Sequence, residues 1–501
     1  MPETVSGGPT PPIAFGAASD SVRDHFATER IIPSAELLAS LQATGAEINT
    51  DPQMIAEASR DWWPLAMMWA KNNEVAVRAG AIVRPNTHEQ VAAVLVLCNA
   101  AKIPVTAAAG RSGVAGASVP IYGGVVLDLT GLSGIRSVDR DSMIVDVEAG
   151  TFGNLLEEEL REKYHCTLGH WPQSIDLSTV GGWLACRSAG QFSTRYGKIE
   201  DMVIGLDVVL ADGRTISTGG APRAAMGPEL TQLFVGSEGT LGVITGARLR
   251  IHPAPVSERR AAFAFPSFSA GLDVCRRIIQ RGATPAVLRL YDAIEGDRHF
   301  STGPDLHPLL IMDEGDPKII DASMAIVIEE CAGAKTLNGE ELLEHWLAHR
   351  NDVSSLEALI SIDYVVDTME ISARWSELDT IYENALTAIA AVPGTAQVSA
   401  HQSHAYSDGA CLYFTFAAKP ENKEQYYRDA WDAGTQAVLN AGGSLSHHHG
   451  IGLNRARFMR TALGSGLDVL TQIKITLDPN GILNPGKLGI VSDFGNIPTW
   501  P

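Results

Sequence analysis

Nowhere in these 501 residues do lysine and arginine gather into a block; the chain has 38 of them against 58 acidic residues, a formal charge of −20. A surface that neutralises a nucleic-acid backbone has no source here, so nucleic acid is not an expected partner. Long apolar runs are missing too: the most apolar early stretch, 91–109, is interrupted by Asn99 and Lys102 and is too broken to cross a bilayer. The first thirty residues lack the charged start and apolar centre of a secretion signal, which implies a protein that stays in the cytoplasm. Cys98, Cys166, Cys186, Cys275, Cys331 and Cys411 stand far apart without a C-x-x-C pair, which argues against a zinc site or a disulfide framework. They read as small buried hydrophobes. Internal repeats, heptad arrays and low-complexity tracts are absent as well.

What is present is the composition of a globular protein, 45% hydrophobic and 19% charged, with length for two or three lobes. Residues 1–78 read as an N-terminal helical arm: a flexible leader, a helix at 34–42, then an aromatic patch of Trp62, Trp63 and Trp69. Residues 79–255 intermix strands (81–84, 103–106, 125–129, 134–138, 143–147) with a helix at 152–164 and a helix opened by Thr87, with Gln90 completing a capping box. A ribbon at 203–210 and 215–218 turns at Asp212-Gly213. The class is α+β. Residues 256–440 form a mixed α/β second domain, with helices near 267–281 and 376–391 and β runs at 325–328 and 410–417. Residues 441–501 are a C-terminal segment that carries three histidines and returns to the first lobe.

Three glycine-rich segments fall in the 79–255 lobe: Ala109-Gly110-Arg111-Ser112-Gly113-Val114-Ala115-Gly116, Ser178-Thr179-Val180-Gly181-Gly182-Trp183 and Gly236-Ser237-Glu238-Gly239-Thr240-Leu241-Gly242. Glycine permits positive φ and removes the Cβ, so successive amides can converge on a diphosphate. Any one segment alone reads more readily as a tight turn. The first has neither the G-x-G-x-x-G spacing of a Rossmann turn nor the Gly-Lys-Ser/Thr ending of a P-loop.

Taken together, in this order and spacing, the segments resemble the FAD-binding domain of the vanillyl-alcohol-oxidase and p-cresol-methylhydroxylase (PCMH) family, over roughly 79–255 and the C-terminal tail. The resemblance implies a two-part, PCMH-type FAD-binding domain with a cap domain. The first loop would cradle the pyrophosphate and the other two would line the isoalloxazine and adenosine portions. Cofactor contacts are expected from Ala109, Gly110, Arg111, Ser112, Gly113, Val114 and Gly116, from Pro172, Ser174, Ser178, Thr179, Gly181, Gly182 and Ser188, and from Glu238, Gly239, Thr240, Gly242, Val243 and Ile244. Arg111 stands where many members have glycine, its side chain either outward or on the phosphates. The first loop holds no histidine or cysteine, so FAD is expected to be bound without a covalent link through it.

A narrower resemblance rests on Gly169-His170-Trp171-Pro172-Gln173-Ser174, Tyr196-Gly197-Lys198-Ile199-Glu200-Asp201 and Gly443-Ser444-Leu445-Ser446-His447-His448-His449-Gly450. These look like the alkylglycerone phosphate synthases, which exchange an acyl group for a fatty alcohol. By that likeness His447, His448 and His449 face substrate with Tyr413; Arg289 and His170 fill two further active-site positions, and Arg350 stands for the arginine near the substrate phosphate. On their own, three consecutive imidazoles place neighbours on different faces and can exchange protons near neutral pH. A surface tract or a metal site is the blander reading.

The tail Leu477-Asp478-Pro479-Asn480-Gly481-Ile482-Leu483-Asn484-Pro485-Gly486-Lys487 is closer to the related D-2-hydroxy-acid dehydrogenases, which bind a divalent ion with two histidines and a glutamate. Here His404 stands for the first ligand, the second falls near Cys411 or Leu412, and His448 takes the glutamate's place, so no metal is expected. Two chemistries stay open on the same residues. One is FAD-dependent oxidation at the C–OH or α-carbon of a small oxygenated substrate, hydride passing to flavin N5 with histidine or tyrosine as acid–base. The other is the non-redox exchange of acyl for alcohol. A non-catalytic flavin scaffold is argued against by the intact Tyr413 and histidine run. The partner is a small-molecule substrate; a homodimer stays open.

Overall fold

The computed structural model describes residues 21–498, so the leader expected at the start of the chain lies outside the described residues. Two sheets build the first lobe. In one, Ala81–Arg84, Val125–Asp128 and Val105–Ala108 run parallel, and Glu47–Asn49 adds antiparallel to Ala81–Arg84. Parallel neighbours need a crossover, and the helix His88–Ala100 provides one, burying Val91, Val94, Leu95 and Cys98 along one stripe. Thr87 caps it by accepting the Gln90 N–H (3.2 Å), while Gln90 Oε1 reaches past Thr87 to the Asn86 N–H (2.7 Å). The second sheet is antiparallel, ordered Thr215–Ser217, Val203–Val209, Val243–Arg250, Ile144–Glu148, Ile135–Asp139. The segment before residue 79 is not helical throughout, since it gives Glu47–Asn49 and a short parallel pair, Arg23–Asp24 with Glu74–Val75.

The second lobe is a seven-stranded antiparallel sheet ordered Lys335–Thr336, Ser257–Phe265, His307–Gly315, Val287–Tyr291, Thr395–Ala405, Gly409–Ala418, Val365–Arg374. Strand alternation sorts its side chains. Leu288, Leu290, Met369, Ile371, Leu412, Phe414 and Phe416 join the core under the helices Phe268–Gln280, Trp375–Ala390 and Lys423–Asn440. The intervening Arg289, Thr368, Glu370, Tyr413 and Thr415 therefore share the opposite face.

The strand expected at 325–328 is a correction: those residues lie inside the helix Pro317–Glu330. Asp316 caps that helix, Pro317 starts it, and Ile320, Ser323, Met324 and Val327 bury one helical stripe while Ile328 is exposed. The β-branched run is thus outvoted by cap and period. The tail does return to the first lobe, where Val105 N–H bonds Ile482 O (2.8 Å) and Asn484 N–H bonds Val105 O (2.8 Å). No described helix is long and apolar enough to cross a membrane. All six cysteines are free, five buried and Cys186 half-buried.

Lys474 locks the tail in place. Its buried ammonium pairs with Asp478 and donates to Thr240 O (2.9 Å) and Leu483 O (2.7 Å). Lys474→Met strands a buried carboxylate and two carbonyls, so denaturant unfolding is expected to lose about 3–5 kcal/mol; a change near zero would contradict the locking role.

Candidate functional site

A cavity of about 1130 Å³ lies where the lobes meet. One wall is made of the glycine-rich segments: Ala109 to Val114, then Ser178, Thr179, Gly181 and Gly182, then Glu238, Gly239, Gly242, Val243 and Ile244, with Pro172, Ser174 and Ser188 beside them. A Cβ on Gly110 would stand 2.0 Å from Leu177 O, so only glycine lets the first segment pack against the chain entering the second. Arg111 adopts φ +54°, the conformation that favours glycine. Its side chain also lines the cavity, within electrostatic reach of Asp128, Glu57 and Asp61, and burial pushes its guanidinium down from the usual range. Gly116 and Thr240 are not brought to the cavity. Gly116 packs on Trp63 and Leu453, and the Thr240 hydroxyl donates to Ser237 O (2.7 Å). A bared-backbone wall in a cavity of this size fits a dinucleotide with room for a substrate.

The facing wall is the polar face of the seven-stranded sheet, with the histidine run set against it. Glu370, fully buried, organises that run. Its two oxygens accept the backbone N–H groups of His447, His448 (3.2 Å) and His449 (2.9 Å), the Ser446 hydroxyl (2.8 Å) and Arg455 (2.8 Å). Burial alone would raise its carboxyl, yet Arg455 and the surrounding donors hold it at about 2. Lys198 Nζ grips the His447 carbonyl (2.5 Å). Past the histidines, Glu238 accepts the N–H groups of Ile451 (2.6 Å) and Gly452 (2.9 Å), so a residue expected to meet the cofactor also spends its carboxylate on this loop. Ala115 O receives Leu453 N–H (2.8 Å), which joins the loop to the first glycine segment.

His448, His449 and Tyr413 line the cavity, whereas His447 stands behind them. Tyr413 accepts from the Thr368 hydroxyl (3.2 Å) and is hydrogen-bonded to His449 Nε2 (3.2 Å), and His449 Nδ1 lies 3.6 Å from Glu370. His448 bonds His447 through Nδ1 (3.0 Å), and Tyr406 meets His447 Nε2 (3.0 Å). A second relay runs beside the first: Arg289 donates to His401 Nε2 (2.7 Å), so His401 Nδ1–H donates to Glu295 (2.7 Å). His401 stacks on Tyr413 at 4.9 Å. Burial, ahead of neighbouring positive charge, pushes His447 down to about 3 and His401 to about 4, and burial, with Arg455 behind it, takes His449 to about 4 against the pull of Glu370. His404 and His448 fall well below the usual imidazole range for the same first reason. Burial thus holds these imidazoles in the neutral form.

Arg350 is a further cation of the cavity beside Arg111, Arg289 and Arg298, its guanidinium 4.7 Å from the Trp171 ring and 4.8 Å from Phe192, with one nitrogen buried and unpartnered. Burial lowers it to about 10. The Arg289 Nε is also buried without a partner. His170 is not brought to the cavity: it packs on Trp183 (4.6 Å), neither ring nitrogen is bonded, and burial pushes it to about 3. His404, His447 and His448 hold ligand atoms within 4.8 Å of one another, as do Glu370, Cys411 and His448, so the residue types for a divalent ion do meet here.

Glycine-walled cavity, polar sheet face and imidazole loop together define a flavoenzyme of the two-part FAD-binding fold. The chain matches the model of an FAD binding domain over residues 79–219 and that of the C-terminal domain of FAD linked oxidases over residues 254–488. It is 33% identical over 431 residues to the FAD-linked oxidoreductase YgcU of Escherichia coli (strain K12), covering 81% of this chain and 88% of that protein. It is 31% identical over 447 residues to the alkyldihydroxyacetonephosphate synthase of Dictyostelium discoideum, covering 81% and 72%. A solved alkyldihydroxyacetonephosphate synthase superposes with a TM-score of 0.77 at 25% identity, covering 97% of this chain and 90% of that one. The chain belongs to the FAD-linked oxidoreductase family, and its cofactor is FAD.

Glu370→Gln places an NH₂ where an oxygen now accepts, and is expected to cost about 3–5 kcal/mol in denaturant unfolding. The pH dependence follows by linkage. The cavity imidazoles have folded values below their unfolded value of about 6.5, so their contribution is full above that pH and is lost progressively as pH falls from there to the folded values of about 3 to 4. Glu370, depressed from about 4.3, contributes stability that is lost between there and pH 2. Wild-type stability should therefore fall below about pH 6.5, and Glu370→Gln should change the part below about 4.3, where the carboxylate's own contribution disappears. An unchanged lower limb in the variant would contradict the anchoring role.

Proposed function

We propose that the protein oxidises the C–OH carbon of a small anionic substrate of the 2-hydroxy-acid kind. The observation that carries this reading is two guanidiniums with buried unpaired nitrogens, Arg289 and Arg350, sharing one cavity with Tyr413 and His448. An unpaired buried cation is costly and is offset by an anionic ligand. Arg350, braced by aromatic rings, holds the substrate's anionic group, and Arg289, oriented by His401 and Glu295, polarises the oxygen being oxidised. Bound FAD supplies the acceptor for the two electrons that leave the substrate carbon as hydride.

The proton of the hydroxyl goes to His448. Its hydrogen bond runs through Nδ1 to His447, which leaves Nε2 for the substrate, and Glu370 lies 4.0 Å from Nδ1 to stabilise the cation formed. A neutral imidazole is already in the accepting form. Tyr413, backed by His449 and Glu370, positions the same oxygen. His170 keeps a packing role, and the cluster works without a metal ion.

Acyl-for-alcohol exchange has an observation of its own: Val353, Leu356, Leu359, Val366 and Ala417 give the cavity an apolar wall suited to an alkyl chain. Anaerobic mixing of the flavin-loaded protein with 2-hydroxy acids separates the two. Bleaching of the visible flavin band is expected; acyl-for-alcohol turnover on an acylated ketone phosphate without bleaching would replace the oxidative reading. Arg350→Met should weaken substrate binding about 10- to 100-fold with little change in the limiting bleaching rate, and an unaltered concentration dependence counts against the clamp. Elemental analysis of the purified protein should find divalent metal well below one ion per chain, and a stoichiometric ion would reassign His404, His447 and His448.

A further inference from the structure

The sequence groups Trp62 with Trp63 and Trp69 as a packing patch; the structure separates them. After the helix Pro52–Ala58 the chain passes through Arg60-Asp61-Trp62-Trp63 into the helix Pro64–Lys71. Trp63 is pinned to the second lobe. Its indole N–H donates to Tyr427 (2.9 Å), Tyr427 donates to Asp367 (2.5 Å), and Trp431 donates to the same oxygen (2.9 Å). Trp69 likewise spends its indole N–H, on Glu424 (2.8 Å).

Trp62 differs from both. It lines the cavity, only 7% of it is exposed, and its buried indole N–H has no partner among the described residues. Its backbone N–H donates to Gly113 O (2.9 Å), which ties the residue to the middle of the first glycine segment. Asp61 stiffens that junction. It accepts the Trp63 N–H (3.1 Å), and its other oxygen lies 3.7 Å from where a Cβ on Gly113 would stand.

We propose that Trp62 is a cofactor-binding residue whose indole N–H donates to the diphosphate of FAD. Indole is a donor only, so the group it meets must be an acceptor, and an anionic ligand on this wall supplies one. The diphosphate is the anionic part of FAD, and the backbone to which Trp62 is bonded is the bared stretch Gly110 to Gly113 suited to receive it. The arm ahead of residue 79 thereby completes the cofactor site and, through Trp63, fastens it to the second lobe.

The test is ¹⁹F NMR of full-length apoprotein carrying 5-fluorotryptophan, with the Trp62 resonance assigned by its loss in Trp62→Phe or Trp62→His. That resonance is expected to shift on addition of FAD and to stay in place with FMN, which lacks the diphosphate. In parallel, flavin-fluorescence titration of Trp62→Phe should raise the FAD dissociation constant about 10- to 100-fold and leave that of FMN unchanged, with thermal unfolding of the apoprotein checking that the variant folds. If Trp62→Phe does not fold, Trp62→His, which keeps a ring N–H, supplies the assignment. A resonance unmoved by saturating FAD, one moved equally by FMN, or unchanged FAD affinity in a folded Trp62→Phe overturns the proposal.

Discussion

One buried carboxylate sets the geometry of the site. Three consecutive backbone N–H groups converge on Glu370, together with a hydroxyl and a guanidinium. Charge-assisted hydrogen bonds of this kind are short and directional. They fix the backbone of residues 447–449, and fixed backbone leaves each imidazole one place to go: His447 behind, His448 and His449 on the cavity. Glu238 does the same for the chain just beyond, through Ile451 and Gly452. Because Glu238 belongs to a glycine segment of the first lobe and Glu370 to the sheet of the second, the histidine loop is held from both sides.

The site also divides its charge. Burial keeps the imidazoles neutral, and the carboxylates nearest them are consumed by backbone donors, Arg455 and His401. Positive charge that is not fully paired sits on Arg289 and Arg350. These guanidiniums give the proposed anionic substrate a local partner inside a chain whose net charge is strongly negative, without any basic surface.

Much of this was legible in the sequence, for physical reasons that differ by element. The glycine segments could be read because no other residue survives where a Cβ would meet a carbonyl, as at Gly110, and the Thr87 cap because its partner is three residues away. The polar residues that orient the site could not. Glu370 is 77 residues from the first amide it binds, and Glu295 is 106 residues from His401. A glutamate set between Met369 and Ile371 on the strand Val365–Arg374 was the available sign. Trp62 and Trp63 are adjacent and chemically identical, so only packing tells them apart. At 325–328 the local β pattern was real but outweighed by a helix whose buried stripe spans a longer window.

The central claim is that the glycine-rich wall and the imidazole–tyrosine wall enclose a single bound flavin with its substrate. A crystal structure of the FAD-loaded protein tests it most directly. The account requires the diphosphate on Gly110 to Gly113 and the isoalloxazine ring facing Tyr413 and His448, with residues 447–449 still bonded to Glu370. Density placing the ring away from those side chains, or a histidine loop detached from Glu370 in the loaded protein, would contradict it.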